Sequence, residues 1–370
     1  MHFIRMFVLL FAMIAISFSQ DFNFTGNGAR AAGMGYAFTG VADDATAISW
    51  NTAGLTQLYS MEASIVGRLG FGSTEFTGAN LLPTVDRASK FKLNFASFVV
   101  PFKIGNMRTV AGVAFKNHYD FTTETTLSYT DNSSETIGTN GGVNAISPAI
   151  AIQINDLLSV GTAFNIYTGS TNNYYKNSLG ADQTDPTSDY SGSSIDVGLM
   201  LKPNEMISFG ANINLPHDLK FDNNPIAVPL FYSIGIGFHA TNNLLLAADF
   251  QSRAWSNSDD LKYLTDNGFN TDLNSIHLGA EYLLTSGSAV IPLRIGFFNN
   301  PLFLWDNNKK QLSAGVLTLG SGLVLGSIVL DVSYELQAIK YDVDLGSYGT
   351  VSRTDTDSRI TFGGTIQFGE

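Results

Sequence analysis

The sequence has no cysteine, few charged residues and no long hydrophobic run beyond its first twenty residues. Without cysteine, the chain cannot form a disulfide, a thiolate metal site, a cysteine nucleophile or a lipidated N-terminal cysteine. Charged residues make up only 14% of the 370 residues and aromatic residues reach 12%, which excludes a disordered chain. The net charge of −12, without a basic patch, argues against nucleic acid as a partner. With 36 glycines as well, the composition favours an all-β or membrane protein.

The first nineteen residues have the layout of a signal peptide. A short polar start precedes an apolar stretch at 6–16, which is too short to cross a bilayer as a helix. Ser17 and Ser19 place small residues at −3 and −1, which predicts cleavage before Gln20. The alternative is an uncleaved anchor. We therefore expect an exported protein, either soluble outside the inner membrane or a β-barrel in an outer membrane.

Most of the chain after residue 60 alternates apolar and polar residues. Between Ile195 and Lys202 every odd position is apolar, whereas the even positions include Asp196. Successive side chains of a strand point to opposite faces, so each run has one apolar face and one polar, glycine-rich face. If the polar face is wet, a glycine on it such as Gly235 should tolerate replacement by serine.

The runs are longer than the strands of most soluble proteins, which average about five or six residues, and suit membrane-spanning strands of about 9–11. Fourteen runs occur, at 60–72, 91–102, 108–119, 142–154, 157–170, 192–202, 205–215, 228–240, 243–256, 273–285, 288–299, 311–323, 326–341 and 358–368. The connections are alternately long and short, as in bacterial outer-membrane barrels, which have an even number of strands. The sequence predicts an all-β fold, a transmembrane antiparallel β-barrel of about fourteen strands over 60–370.

Residues 20–59 do not alternate and are rich in alanine and glycine. Asp43 or Asp44 is positioned to cap a short helix, and Gly54 to end another. Such a compact segment before the first strand either extends into the periplasm or folds inside the barrel lumen. Small residues permit close packing against a barrel wall, which favours a hatch inside the lumen.

Three N-terminal motifs carry a resemblance to a known family. They are Gly-Ala-Arg-Ala-Ala-Gly-Met-Gly at 28–35, Ala-Asp-Asp-Ala at 42–45 and Asn-Thr-Ala-Gly-Leu at 51–55. This pattern resembles the N-terminal region of the FadL/TodX family of outer-membrane transporters for long-chain fatty acids and other hydrophobic compounds. Weaker matches continue in order along the chain, such as Pro-Leu-Arg-Ile-Gly at 292–296.

The resemblance implies fourteen strands, an N-terminal hatch and, in some members, a lateral opening in the wall. It also points to Asn51, Thr52, Ala53 and Gly54 as hatch or gating residues. The family usually has Asn-Pro-Ala where this chain has Asn-Thr-Ala. Because threonine restores a backbone donor and frees φ, any gating that depends on a rigid turn is in doubt here.

Charged residues of the runs fall on the inward face, as expected, because Lys or Arg facing lipid at mid-membrane costs about 2–4 kcal/mol. One interpretation is mutual pairing that fills the lumen and holds the hatch. The carboxylates of this lumen network are Glu62, Asp249, Glu281 and Asp331. The other interpretation is that Arg68 or Arg294 attracts an anionic head group, because a guanidinium suits a carboxylate.

Apolar side chains on the inward face are candidates for a ligand passage. They are Met200, Phe231, Leu245 and Phe298. The alternative is ordinary filling of a narrow barrel. The histidines show no metal spacing and no nucleophile motif is present, so we predict neither an enzyme nor a cofactor or metal site.

The sequence thus predicts passive uptake of hydrophobic small molecules, such as long-chain fatty acids, across the outer membrane. The expected partners are the hydrophobic ligand, outer-membrane lipid and the barrel assembly machinery, whose signal the terminal Ile366-Gln367-Phe368 resembles. Two alternatives remain: a shuttle or cargo-binding barrel of the type IX secretion system, which shares the N-terminal pattern, and a general porin. Polar outer loops of moderate length favour transport, and the hatch argues against an open pore.

Overall fold

The computed structural model describes residues 26–77, 84–88, 91–128, 132–178, 180, 182–306, 308–344 and 350–369. The signal peptide expected at 1–19 and the first residues of the hatch, 20–25, lie outside this part. Among the described residues, no helix is both long and apolar enough to cross a membrane.

The N-terminal segment 26–58 contains three short helices and no strand. Two α-helices, α1 (Ala29–Gly33) and α2 (Ala47–Trp50), are followed by a 3-10 helix, Thr52–Gln57. The Asn51 side chain caps the 3-10 helix by accepting a hydrogen bond of 3.2 Å from the backbone N–H of Ala53. We call residues 26–58 the plug, because their side chains are almost entirely buried inside the barrel described below.

The described part of the chain contains nineteen strands. They are β1 (Met61–Thr77), β2 (Thr84–Ala88), β3 (Lys92–Ile104), β4 (Met107–Asp120), β5 (Thr123–Ser128), β6 (Ser134–Gln153), β7 (Leu158–Asn177), β8 (Gln183–Thr184), β9 (Ser188–Leu201), β10 (Ile207–Asn214), β11 (His217–Phe221), β12 (Asn224–Val228), β13 (Phe231–Thr241), β14 (Leu244–Arg253), β15 (Leu273–Ser286), β16 (Ala289–Trp305), β17 (Gln311–Leu325), β18 (Ile328–Asp344) and β19 (Thr350–Phe368). Between β14 and β15 lie two 3-10 turns, Trp255–Asn257 and Asp259–Leu261, and the helix α3 (Lys262–Asp266).

Fourteen of these strands form a closed antiparallel barrel, as predicted. The other five, β2, β5, β8, β11 and β12, are short and extend the hairpins at one end. Strand β19 pairs with β1 over seventeen residues, from Met61 opposite Phe368 to Thr77 opposite Ser352, and this pairing closes the barrel. Closure leaves neither terminal strand with an unpaired edge.

The two ends of the barrel differ in their connections. At the turn end, β3–β4, β15–β16 and β17–β18 are joined by two residues each. Their glycines, Gly105, Gly287 and Gly326, have φ values of 59°, 61° and 57°, the left-handed conformation that tight hairpin turns require. At the opposite end, which we call the loop end, longer connections carry the short strands and α3.

The barrel is apolar outside and polar inside. Outward side chains such as Ile234, Leu317 and Ile295 are 54–58% exposed, whereas the inward Ser333 and Glu335 are 2–3% exposed. Large apolar side chains left exposed in a continuous belt are stable against lipid rather than water. The alternation in the sequence therefore predicted correctly which side chains of these strands face outward and which face inward.

The inner face is not wet at the level of the plug, so the expectation that Gly235 tolerates serine is wrong. A Cβ on Gly235 would lie 2.0 Å from Asp249 Oδ1 and 2.7 Å from the backbone nitrogen of Gly40. Six more inward glycines on neighbouring strands face the plug with the same lack of space. We call the set the seat glycines: Gly161, Gly198, Gly210, Gly235, Gly279, Gly296 and Gly320.

We predict that Gly235→Ala destabilises the folded barrel by roughly 1–3 kcal/mol, because a methyl group there overlaps both the plug backbone and the Asp249 carboxylate. The matched control is Gly364→Ala on β19, where the nearest atom to an added Cβ is 3.6 Å away. The measurement is the thermal midpoint at which folded, faster-migrating barrel converts to the unfolded band on gels. Equal midpoints for the two variants would contradict the close approach of plug and wall.

Candidate functional site

An aromatic core holds the plug together and joins it to the wall. The rings of Tyr36 and Trp50 are stacked at a centroid distance of 5.6 Å, and Phe38 meets Trp50 edge-on at 6.2 Å. Tyr36 also contacts Phe298 of β16 edge-on at 5.5 Å. These four rings are between 0% and 4% exposed. The plug is therefore packed like the interior of a soluble protein, with the barrel supplying one side of the core.

The sequence-predicted gating turn lies where the plug meets β9. Asn51 donates to the backbone oxygens of Thr39, at 3.0 Å, and of Leu199, at 2.9 Å, so one amide joins two parts of the plug to the wall. Thr52 and Ala53 are at most 1% exposed, and Gly54 is also buried. A Cβ on Gly54 would lie 2.1 Å from the carbonyl oxygen of Ala42, which explains the need for glycine there.

An ion network crosses from the plug to the wall. Arg30 of α1 pairs with Asp43 at 2.6 Å and with Glu281 of β15 at 2.9 Å. Glu281 in turn pairs with Arg294 of β16 at 2.6 Å, and Arg294 reaches Asp331 of β18 at 2.6 Å. The alternation of charges lets each buried group find a partner of opposite sign, which a low-dielectric interior requires.

Burial shifts the titration of the plug groups. Burial by itself disfavours the charged form of Arg30, but Asp43 and Glu281 outweigh it and hold the pKa of the guanidinium well above its usual value. Burial raises the pKa of the Asp44 carboxyl, although nearby Arg30 partly opposes the shift. Burial, and then the adjacent Glu335, raise the pKa of the Tyr36 phenol far beyond its usual range. Tyr36 therefore stays protonated and donates to Glu335 at 2.6 Å.

Both arginines predicted as head-group ligands hold the plug in this structure. Arg294 lies between Glu281 and Asp331 and is 5% exposed. Arg68 donates from Nη2 to the backbone oxygen of Gly26, at 3.4 Å, and to the hydroxyl of Tyr36, at 3.3 Å. Arg294 is thus paired with two carboxylates, whereas Arg68 hydrogen-bonds to the plug, and the head-group role of both stays a prediction.

The other two network carboxylates bind backbone N–H groups of the plug. Asp249 of β14 accepts from Phe38 at 2.8 Å and from Thr39 at 2.7 Å. Glu62 of β1 accepts from Ala45 at 3.2 Å. These bonds satisfy plug donors that no helix or sheet satisfies, so Asp249 and Glu62 fix the plug's position as well as its fold.

The predicted apolar passage divides into two places. Met200, Leu245 and Phe298 are 1–4% exposed and belong to one hydrophobic cluster with the plug. Phe231 does not belong to that cluster, and its ring lies 5.0 Å below the guanidinium of Arg253, measured to the ring centroid. The first three residues fill the space around the plug, and Phe231 lies nearer the loop end.

A second hydrophobic cluster lies at the loop end of the lumen and is dominated by aromatic residues. We call it the aromatic chamber, and its members are Tyr119, Val143, Ala145, Tyr167, Leu219, Val228, Trp255, Leu273 and Phe303, with Phe121, Tyr190, Leu261 and Trp305 packed against it. Trp255 meets Phe303 edge-on at 5.9 Å. This chamber was not predicted from the sequence, although the alternation near the loop ends of β4, β7 and β16 already placed aromatic side chains on the inward face.

Arg253 lies beside this chamber and differs from the other buried arginines. It is 3% exposed, and it pairs in the sheet with Phe231 and Leu273. Within the described residues it makes no ion pair, and its Nη1 has no hydrogen-bond partner. The amide nitrogen of Gln251, on the same face of β14, is likewise unpartnered there. A buried cation without a carboxylate is costly, so this group is suited to an anionic ligand.

Comparisons with known proteins support the fold. No family model matches the sequence, and no curated protein matches it. Solved structures do match: a Pseudomonas aeruginosa FadL homologue, with 11% identity, a TM-score of 0.65 and coverage of 95% of this chain and 100% of that one. The Ralstonia pickettii toluene transporter TbuX matches with 15% identity and a TM-score of 0.62, and the P. putida toluene transporter TodX with 9% identity and a TM-score of 0.67. Each match covers 94% of this chain and 100% of the other. The FadL/TodX-like barrel that the sequence predicted is confirmed as the fold.

We predict that Glu281→Gln loosens the plug, because it leaves Arg30 and Arg294 facing each other without the carboxylate that separates them. The loss of one partner of a buried pair costs about 3–5 kcal/mol. Planar-bilayer recordings should show openings to small ions that are rare in the unmodified protein. Glu205→Gln, at an exposed position, is the control and should leave the current unchanged. If the Glu281→Gln variant shows no more openings than the unmodified protein, this network does not hold the plug in place.

Proposed function

We propose that this protein is an outer-membrane transporter that lets hydrophobic small molecules, such as long-chain fatty acids, cross the membrane passively. The closed barrel with its lipid-facing belt belongs in an outer membrane, and the matching structures include a FadL homologue and two toluene transporters. Those structures also support a role in transport rather than catalysis. Residues 1–19 then serve as the signal peptide, 20–59 as the hatch and 60–370 as the barrel.

The observation that carries the proposal is the aromatic chamber at the loop end of the lumen, beside the buried Arg253, which has no carboxylate partner among the described residues. A ligand that packs against these aromatic side chains gains about 25 cal/mol for each Å² of its apolar surface that it removes from water. Arg253 adds a guanidinium, whose donors match a carboxylate. The combination suits a ligand with a hydrophobic body and an anionic head, as a fatty acid has.

The plug blocks the rest of the route. The core of the plug packs against the inner wall on several strands. The aromatic chamber lies between the plug and the loop end of the barrel. A ligand leaving the chamber toward the turn end must therefore wait for the plug to shift. The turn from Asn51 to Gly54, which holds plug and β9 together, is the part that we assign to gating. A general porin would need an open lumen at this level.

The proposal is tested with Arg253→Gln and two ligands of equal chain length, oleate and oleyl alcohol. The variant should take up oleate into proteoliposomes about tenfold more slowly, because the charged hydrogen bonds to the head group are lost. Uptake of the neutral alcohol should stay as it is. Lys262→Gln, an exposed cation on the helix α3 at the same end, is the matched control.

Three outcomes separate the parts of this proposal. Equal losses for both ligands would show that Arg253 supports the chamber but does not recognise a carboxylate. If the unmodified barrel takes up neither ligand faster than empty vesicles, the transport function itself is wrong. Binding of a secreted protein to the loop end, without uptake of either ligand, would favour the shuttle alternative.

A further inference from the structure

A cavity of about 270 Å³ lies at the turn end of the barrel, between the last turn of the plug and the wall. Plug residues line one side and the ends of strands β4, β6, β7 and β9 line the other. The residues that matter here are Asp43, Gln57, Tyr59, Arg108, Met200 and Lys202. The cavity thus lies at the opposite end of the lumen from the aromatic chamber.

Two cations reach this cavity from different strands. The guanidinium of Arg108, at the start of β4, lies 3.7 Å from the ring centroid of Tyr59 and donates to the carbonyl oxygen of Thr56 at 3.2 Å. The ammonium group of Lys202, which follows β9, donates to Gln57 Oε1 at 2.9 Å. Neither cation has a carboxylate partner within the described residues.

Two acids, Asp43 and Asp156, also line the cavity, and among the described residues neither lies within ion-pair distance of the two cations. Asp43 is paired with Arg30 at 2.6 Å, and Asp156 lies in the exposed turn between β6 and β7. The whole chain has 32 acidic residues and only 20 Lys and Arg. Two cations without a carboxylate partner among the described residues are therefore unusual in one cavity of this chain. Two positive groups facing a confined space raise the local affinity for an anion.

The same two cations also hold the end of the plug. Gln57, which Lys202 contacts, donates through its amide to the carbonyl oxygens of Val41, at 2.7 Å, and Ala42, at 3.2 Å. Thr56, whose carbonyl Arg108 binds, donates through its hydroxyl to Ser159 of β7 at 2.8 Å. An anion that attracts either cation therefore competes with a contact between plug and wall.

We propose that this turn-end cavity is a binding site for a carboxylate, held between Arg108 and Lys202. The guanidinium binds it in fork geometry and the ammonium as a point charge. Binding withdraws both cations from the carbonyl of Thr56 and the amide of Gln57, and so loosens the end of the plug. The carboxylate comes either from a small acid in the surrounding fluid or from the head group of a hydrophobic acid. The site goes beyond the proposed transport and exists without it.

The test takes advantage of the absence of cysteine. Leu157→Cys places one thiol on the exposed rim without changing a charged residue of the cavity, and an environment-sensitive dye there reports the occupancy of the cavity. The labelled barrel, carrying Arg253→Gln to remove the head-group ligand of the aromatic chamber, is titrated in uncharged detergent with sodium acetate, sodium decanoate and decanol. Sodium chloride keeps the ionic strength constant.

The carboxylates should give a saturable signal and decanol none. Arg108→Gln combined with Lys202→Gln should weaken binding at least about tenfold, and Arg108→Lys should recover part of it. Lys103→Gln, an exposed cation at the same end, is the matched control and should bind as the parent does. Migration of folded and heated samples on gels confirms that each variant is a folded barrel.

Saturation with acetate as well as decanoate supports a site for small free acids, and saturation with decanoate alone supports a site for the head group of hydrophobic acids. The absence of a saturable signal, or the same signal in the double variant, would overturn the proposal. Because the titration does not involve uptake, a failure of transport in the oleate experiment would leave this result unaffected.

Discussion

The structure depends on how closely the backbone of the plug approaches the backbone of the wall. At Gly210 an added Cβ would lie 1.9 Å from the carbonyl oxygen of Thr39, and at Gly296 it would lie 2.1 Å from the nitrogen of Gly35. Only glycine leaves room at such positions. The seat glycines therefore let a compact segment pack directly on the sheet, so that the chain itself fills the lumen at the level of these glycines. The buried charges and the position of the chamber follow from this contact.

Charges on the inner wall acquire a role because the plug removes them from water. Glu281 and Arg294 would be ordinary lumen charges in an open barrel, but here they join Arg30 and Asp331 in one network. Such a network satisfies each group while the plug is seated and exposes unpaired charge when it moves. The plug is therefore stabilised in one place, and in the proposed transport a bound ligand supplies the free energy that displaces it.

Much of this fold was predictable from the sequence, because alternation reports which face of a strand is apolar. It placed Ile234 outside and Glu335 inside, and it located the fourteen strands of the barrel. Alternation does not show where along the barrel axis a residue lies or which groups its side chain contacts. For that reason Gly235 was taken for a wet position, and Arg294 rather than Arg253 was predicted as a head-group ligand. Arg253 has no carboxylate partner among the described residues, whereas Arg294 has two.

In the proposed transport the plug closes the route, and it has to move for a ligand to pass. The hydroxyls of Thr39 in the plug and Ser233 in β13 are 3.1 Å apart, and the chain has no other cysteine with which engineered thiols could pair. In Thr39→Cys combined with Ser233→Cys, an oxidising periplasm should form a disulfide that fixes the plug to the wall. The measurement is oleate uptake by this variant before and after reduction, beside each single variant. Uptake should be lost in the oxidised form and should return on reduction. Equal uptake in both forms would show that a ligand passes without movement of the plug.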